Sequence, residues 1–174
     1  MSDTKKQTRT EEVNEVPAIN ENAEITWDEL IVMYDNIKNA LRSAVDTLEA
    51  SRKSFEDIIL GNEDLIIQYN GAAKAIENIA KDLVEVLKQH SKQVNDENGN
   101  VTYQPYRGKV DVDDEKSQQL YISLVLAYNG VYDNLSAIVD NSIAHLLGLI
   151  NEEATKKEQV KNVIGNKETV KTEE

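Results

Sequence analysis

The sequence predicts an all-α fold, an elongated bundle of three long helices at about 26–60, 63–94 and 115–155. Three observations predict it. Apolar residues recur at alternating intervals of three and four along all three segments, Gly61-Asn62 separates the first two segments, and the helical pattern is lost over 95–114. An apolar repeat that averages 3.5 residues is typical of helices packed lengthwise in bundles and coiled coils.

The first helix is expected to begin at Thr26, because Thr26-Trp27-Asp28-Glu29 has the form of a capping box. In that motif the Thr and Glu side chains each bond a free backbone amide at the helix start. The helix should reach a length of about 50 Å at 1.5 Å per residue. Its apolar seam, meaning the row of residues that faces the neighbouring helices, is Leu30, Tyr34, Ile37, Leu41, Ala44, Leu48, Ser51, Phe55 and Ile58.

The second helix is expected to follow Gly61-Asn62, since Glu63 and Asp64 form an acidic first turn after a glycine stop. Its seam is Leu65, Tyr69, Ala72, Ile76, Ile79, Leu83, Val86 and His90. A flanking row widens the apolar stripe, namely Ile66, Ala73, Ala80, Leu87 and Val94. The 3.5-residue repeat continues through Gly61 without a skip, so the alternative is one continuous helix over 26–94 in an oligomeric coiled coil. A hairpin is favoured because Gly and Asn are poor residues for a helix interior.

The segment 95–114 is predicted to be a loop insertion with a short β-ribbon. Asn98-Gly99, Pro105 and Gly108 interrupt the helical pattern. The β-prone pieces 101–103 and 109–112 are expected to pair around residues 104–108. Asp113 and Asp114 then provide a cap for the third helix.

The third helix is nearly uncharged: between residues 117 and 150 only Asp133 and Asp140 carry formal charges. A helix that is apolar on most sides should be the most buried one, either central in the bundle or packed against another subunit. His145 is expected to be a hydrogen-bonded core residue, since it falls in the seam. That seam is Tyr121, Leu124, Tyr128, Val131, Leu135, Ile138, Ser142, His145 and Leu149.

The predicted organisation is one helical domain over residues 25–155 between two polar ends. Residues 1–24 lack apolar periodicity and are expected to form a disordered N-terminal tail. Residues 156–174 are expected to be a charged C-terminal tail that stays helical to about Ile164 and then frays. No apolar run follows the basic residues near the N-terminus, and no stretch reaches about 18 uncharged apolar residues, so neither a signal peptide nor a membrane span is expected.

The chain has a net charge of −13 and no cysteine. The charge is largely in residues 25–150, which carry −9, and such a surface repels nucleic acid phosphates and anionic lipid. Direct nucleic acid and membrane partners are therefore not expected.

The absence of cysteine excludes disulfides and thiolate metal sites and indicates a reducing compartment, the cytoplasm. A composition with 17 Asn, one Phe and two Pro is typical of AT-rich genomes, including many phages, for which the place would be the host cytoplasm or the virion.

The sequence offers no catalytic, cofactor-binding or metal-binding residues. His90 and His145 stand in different helices, and neither belongs to a Glu-x-x-His or His-x-x-x-His pair that would direct two ligands to one helix face. No Gly-rich loop leads from a strand into a helix. The chain is therefore expected not to be an enzyme and to use no cofactor.

Four loop residues are the candidate partner-binding side chains: Tyr103, Tyr106, Arg107 and Lys109. Exposed Tyr and Arg often anchor interfaces. The alternative is that both tyrosines fold back and cover the end of the bundle. A weak internal repeat, Leu followed four residues later by Tyr and then Asp or Asn, adds Tyr34, Tyr69 and Tyr128 as candidate helix contacts. Gly71 and Gly130 belong to the same repeat, and each costs about 1 kcal/mol relative to Ala inside a helix. A close approach by another helix or a partner chain would offset that cost, and the alternative is a local kink or simple tolerance of glycine.

These features predict a non-enzymatic interaction or assembly protein, a helical scaffold or adaptor that binds proteins or itself, with viral structural and assembly components as one such class. The alternative is an acidic inhibitor that occupies the basic nucleic-acid-binding surface of another protein. The net charge motivates this alternative, although the acidic residues are scattered rather than regularly paired.

Overall fold

The computed structural model describes residues 24–171 and the side chains as far as Lys167, so the predicted N-terminal tail lies outside the described residues except for Glu24. The fold is mostly helical, with one two-stranded antiparallel sheet. The elements in chain order are α1 (Asp28–Ser54), α2 (Glu56–Leu60), α3 (Glu63–Gln89), β1 (Ser91–Asn95), β2 (Val101–Pro105), α4 (Glu115–Ala137), a π-helix (Ile138–Ile143) and α5 (Ala144–Lys171).

The predicted turn at Gly61-Asn62 is confirmed, and the continuous helix over 26–94 is wrong. The Asn62 side-chain oxygen accepts hydrogen bonds from the backbone amides of Asp64 and Leu65, at 3.0 and 3.3 Å, and so caps α3. A Cβ at Gly61 would approach the Asp57 carbonyl oxygen to 2.9 Å, which favours glycine there. Helix α3 then packs back along α1, and α4 packs against both.

The core lies between α1, α3 and α4. In α1 the buried residues are Leu30, Ile37, Leu41, Ala44, Leu48 and Ser51, and in α3 they are Leu65, Ala72, Ile76, Ile79, Leu83 and Val86. All of them belong to the two predicted seams. A regular helix packs one side against its neighbours, so the spacing of apolar residues was sufficient to identify that side.

The predicted capping box at Thr26 is wrong. Helix α1 begins at Asp28, and no side chain caps it. Thr26 instead forms an isolated antiparallel bridge with Lys109, and the Trp27 amide donates to the Gly108 carbonyl at 2.8 Å. The Thr26 backbone is therefore extended, because it pairs with the segment that follows β2.

The two strands also differ from the predicted pairing. Strand β2 pairs with β1, of which residues 91–94 are predicted as the end of the second helix, and not with residues 109–112. The turn explains the difference: the Asp96 carboxylate accepts from the Asn98 and Asn100 amides at 2.9 and 2.7 Å, and Gly99 has a φ of 81°. This turn is local and tight, so it joins the strands on either side of it.

The third helix begins as predicted but does not keep one register. Asp114 caps it by accepting from the Ser117 amide at 3.1 Å. Leu124, Tyr128, Val131 and Leu135 of the predicted seam are buried. From the last residue of the π-helix onward the buried residues are Ile143, Leu146 and Ile150, each one position later than the predicted Ser142, His145 and Leu149.

His145 is consequently exposed, and the prediction of a core histidine is wrong. A π turn closes its hydrogen bond over five residues instead of four, so it holds one extra residue and rotates the following helix relative to a regular one. The rotation turns three aliphatic side chains inward in place of Ser, His and Leu.

The third helix also continues past its predicted end at about residue 155, as expected for the start of the C-terminal tail, and reaches Lys171. The segments from Glu115 to Lys171 form one uninterrupted helix of about 85 Å at 1.5 Å per residue. Helix α1 measures only about 40 Å, so the end of α5 projects past the helices it packs against. All residues from 155 to 167 are exposed.

Candidate interaction surface

An aromatic cluster closes the upper end of the bundle, where α1 begins and α3 ends. The Trp27 ring lies 5.3 Å from the Tyr106 ring and 5.9 Å from the Tyr121 ring, measured between centroids. The Tyr106 amide donates to the His90 carbonyl at 2.9 Å. Tyr106 is half-buried in this cluster, so the alternative in which it folds back on the bundle end applies to this tyrosine.

His90 lies beneath the aromatic cluster and is fully buried. Its Nδ1 is 3.0 Å from the hydroxyl of Tyr128, which is also fully buried, and its Nε2 has no hydrogen-bond partner in the described part of the protein. Burial lowers the pKa of His90, an effect that a backbone contact with Tyr106 opposes. Burial also raises the pKa of Tyr128 well above its usual range. Both side chains are therefore held neutral near pH 7 and join α3 to α4.

Acidification is expected to destabilise the fold through His90. Because the pKa of His90 is lowered in the folded chain, the unfolded chain binds the proton more readily once the pH falls below 6.5. Stability is then lost until the pH has passed the lowered pKa of the folded state. The measurement is the urea unfolding free energy of the wild-type chain and of His90→Phe from about pH 5 to about pH 8, the range in which histidine titrates.

The difference between these two profiles isolates His90 from the carboxylates. His145→Gln provides the matched control, because it replaces a histidine at an exposed position. Equal slopes for the wild-type chain and His90→Phe below pH 6.5 would contradict the assignment.

The other candidate loop residues, Tyr103, Arg107 and Lys109, are all exposed. Tyr103 is 41% exposed, and the Lys88 ammonium lies 5.6 Å from its ring centroid. Arg107 is exposed. Lys109 is exposed and forms an ion pair with Glu24 at 2.6 Å, and such exposed pairs stabilise by less than about 1 kcal/mol. A role of these side chains in partner binding stays a prediction.

The repeated Leu and Tyr residues occupy related places in the three helices. Leu30, Leu65 and Leu124 are all buried. Tyr34 packs edge to face with Tyr128, with the ring centroids 6.5 Å apart. The third tyrosine of the repeat, Tyr69, is half-buried, with the guanidinium of Arg52 at 5.8 Å from its ring.

The two repeat glycines do not mark a close approach within the chain. Gly71 and Gly130 are exposed, and a Cβ on either would meet no atom within 4 Å. Both residues therefore lie on the outer sides of their helices. The intramolecular form of the prediction does not hold, whereas contact with a partner chain stays a prediction.

A groove between α1 and α4 is the candidate interaction surface. It consists of two depressions, of about 460 and 370 Å³, which share Ala40 and Tyr132. Its floor is the core-facing row Ile37, Ala44, Tyr128, Leu135 and Ile143. Its α1 wall is Met33, Asn36, Asn39, Ala40, Ser43 and Thr47, and its other wall is Asn129, Tyr132, Ser136, Val139 and Asp140.

The α1–α4 groove is almost free of charge. Of its sixteen lining residues only Asp140 carries a formal charge, whereas 29% of the whole chain is charged. Tyr132 in the wall is 49% exposed, and Val139 is 36% exposed. Depletion of charge together with exposed aromatic and aliphatic side chains is typical of the centre of protein interfaces.

A wider cleft of about 980 Å³ at the lower end of the bundle has a different character. It lies between the α1–α2 junction and the projecting part of α5. Six of its twelve lining residues are charged: Lys53, Glu56, Asp57, Lys157, Glu158 and Lys161. Desolvating so many charges would be costly, so this cleft is a poorer candidate for a dry interface than the α1–α4 groove.

The exposed side of α4 adds apolar surface next to the groove. Ile122 and Leu126 are 58% and 67% exposed and lie four residues apart, on one side of the helix. The third helix is therefore not buried on all sides at the centre of the bundle, and that form of the prediction is wrong. Its packing against another subunit stays a prediction. The sequence carried a signal for the α1 wall as well, since residues 30–34 and 39–41 of α1 are uncharged.

Two further properties concern the described residues alone. Between residues 24 and 171, no group of three or more His, Asp or Glu side chains is arranged to hold a metal ion. In the same range, no helix is long and apolar enough to cross a membrane.

Comparison of the chain with protein-family models, curated proteins and solved structures finds no match to any of the three.

Proposed function

We propose that the protein is a non-enzymatic interaction or assembly protein, a helical scaffold or adaptor that binds a helix of its partner in the α1–α4 groove. The observation that carries the proposal is the single charge among the sixteen residues of that groove, on a chain with a net charge of −13. A helix laid between α1 and α4 would complete a four-helix arrangement.

The chemistry of the walls favours a helical partner. Ala40, Ser43 and Ser136 are small, so a partner backbone can come close to the groove floor, and Tyr132 provides a rigid aromatic anchor at its centre. The amide side chains of Asn36 and Asn129 offer donors and acceptors at the rim. Amphipathic helices bind grooves of this kind through residues spaced three and four apart.

The proposal is tested with a photo-crosslinking amino acid at position 43, in the groove, and at position 78, on the exposed side of α3. A protein captured from position 43 alone is purified and titrated against the wild-type chain. Ser43→Arg should weaken that complex at least tenfold, because it places a desolvated charge in the groove. Asn78→Arg, the matched control, should bind as the wild type does.

Equal binding by Ser43→Arg and the wild-type chain would refute the groove as the binding surface. Capture of a basic nucleic-acid-binding protein whose affinity is unaffected by Ser43→Arg and lost in salt would instead favour the acidic inhibitor.

A further inference from the structure

The projecting end of α5 carries an exposed apolar strip, of which the first member, Val160, also lines the cleft beside the α1–α2 junction. Val160, Val163 and Ile164 keep 58%, 56% and 54% of their surface exposed. Their spacing of three and four residues places them on one side of the helix. Three exposed aliphatic side chains so arranged are the kind of anchor with which a helix binds a groove.

The charge of this projecting end is opposite to that of the rest of the described chain. Residues 154–167 contain four Lys and one Glu, a net charge of +3, while residues 24–153 carry −12. Lys156 and Lys167 lie on the same side as the apolar strip, at four residues before Val160 and seven after it. The ion pair between Lys156 and Glu153 is within one helix and exposed, so it is readily exchanged.

The α1–α4 groove has the complementary charge. No Lys or Arg lines it, and its one formal charge is the carboxylate of Asp140. Asp133 is exposed beside Tyr132, four residues after the lining residue Asn129, and so lies near the same rim. The lengths also agree, because residues 154–167 and the stretch of α1 from Met33 to Thr47 each measure about 21 Å.

A chain cannot fill its own groove with this strip. The groove wall and the strip belong to one uninterrupted helix, and residue 154 lies fourteen positions, or about 21 Å, beyond Asp140 along its axis. Only a separate molecule can therefore bring the strip to the groove.

We propose that residues 154–167 of one copy occupy the α1–α4 groove of a second copy, and that the second copy returns the same contact. This assignment rests on the proposed function of the groove and names its occupant. Two antiparallel copies with a two-fold axis near Gly148 satisfy both contacts together, because residue 148 is equally distant from Ser136 in the groove and from Val160 in the strip. Closed two-fold dimers are the commonest protein assemblies. Gly148 is exposed, and a Cβ there would meet no atom within 4 Å, so the chain leaves space at the axis.

The first experiment measures the mass of the purified full-length chain by light scattering behind size exclusion. The wild-type chain should have twice its 19.6 kDa chain mass. Val160→Asp with Ile164→Asp should halve that mass, because two acidic groups replace the apolar strip and face Asp140. Val84→Asp is the matched control, since Val84 is an aliphatic residue of α3 that is 47% exposed and lies in a depression lined by α3 residues, and it should remain dimeric.

The second experiment places the contact. The chain has no cysteine, so introduced thiols are unique. An oxidised mixture of Val160→Cys and Ser43→Cys chains should give a covalent pair at least tenfold faster than a mixture of Val160→Cys and Asn78→Cys chains. All of these positions are exposed, so the substitutions leave the core intact.

The inference is overturned if the wild-type chain is monomeric at its highest soluble concentration, if the double Asp variant stays dimeric, or if the two cysteine mixtures react at equal rates. A monomeric wild-type chain whose groove still binds a different protein, with that binding lost in Ser43→Arg, would remove the self-association and leave the proposed function standing.

Discussion

Leu146→Ala is expected to lower the free energy of unfolding by about 2 to 5 kcal/mol, the usual range for a buried leucine replaced by alanine. Leu146 is fully buried, and it faces the core because the π-helix rotates α5 by one residue. Urea unfolding followed by circular dichroism measures the change.

His145→Ala is the matched substitution at the neighbouring position. His145 is exposed, so its replacement should change the free energy of unfolding by no more than about 0.5 kcal/mol. The regular 3.5-residue repeat predicts the opposite order, with His145 inside and Leu146 at the edge. A larger loss for His145→Ala than for Leu146→Ala would therefore contradict the π-helix.

Deletion of Asn141 is expected to be tolerated, although a one-residue deletion inside a helix normally shifts every following side chain. Asn141 is exposed and belongs to the π-helix. Without it the turn can become a regular α-helical one, and Ile143, Leu146 and Ile150 then take the seam positions of an unbroken repeat. The expected loss is within about 2 kcal/mol, as for an ordinary single substitution.

Deletion of Asn78 is the control, because Asn78 is an exposed residue in the middle of the regular helix α3. That deletion has no extra residue to remove, so it must turn one half of the α3 seam outward. Exposing Ile79, Leu83 and Val86 costs about 1.5 to 3 kcal/mol for each side chain, which is comparable to the whole stability of a small domain. Thermal unfolding of both variants compares them, and equal losses would refute the role of the π turn.

Local chemistry in the sequence was sufficient for several parts of the fold. The spacing of Leu30, Ile37, Leu41 and the corresponding residues of α3 predicted which sides of both helices are buried. The turn at Gly61-Asn62 and the cap by Asp114 were also predictable, because each depends on residues adjacent in the chain. The low charge of the third helix was visible as well, although its location on a groove wall was not.

The tertiary structure alone decided the features that depend on distant residues. Thr26 could cap α1 or pair with Lys109. The bridge between Thr26 and Lys109 forms only after the β-hairpin of β1 and β2 has placed Lys109 at the end of the bundle. In the sequence, His90 is one member of the apolar seam of the second helix. Only the folded structure shows that Trp27, Tyr106 and Tyr128 surround it.

The π-helix is the clearest example of a feature that the sequence did not predict. Apolar spacing identifies the buried side of a helix only while that helix stays regular. In this protein, burial of Ile143, Leu146 and Ile150 stabilises a wider turn, because each side chain gains about 1.5 to 3 kcal/mol on leaving water. That gain depends on the space that α1 and α3 leave between them. The sequence by itself therefore determined the buried sides of α1 and α3 and the turn between them, while the packed structure decided the rotation of α5, the exposure of His145 and the presence of the α1–α4 groove.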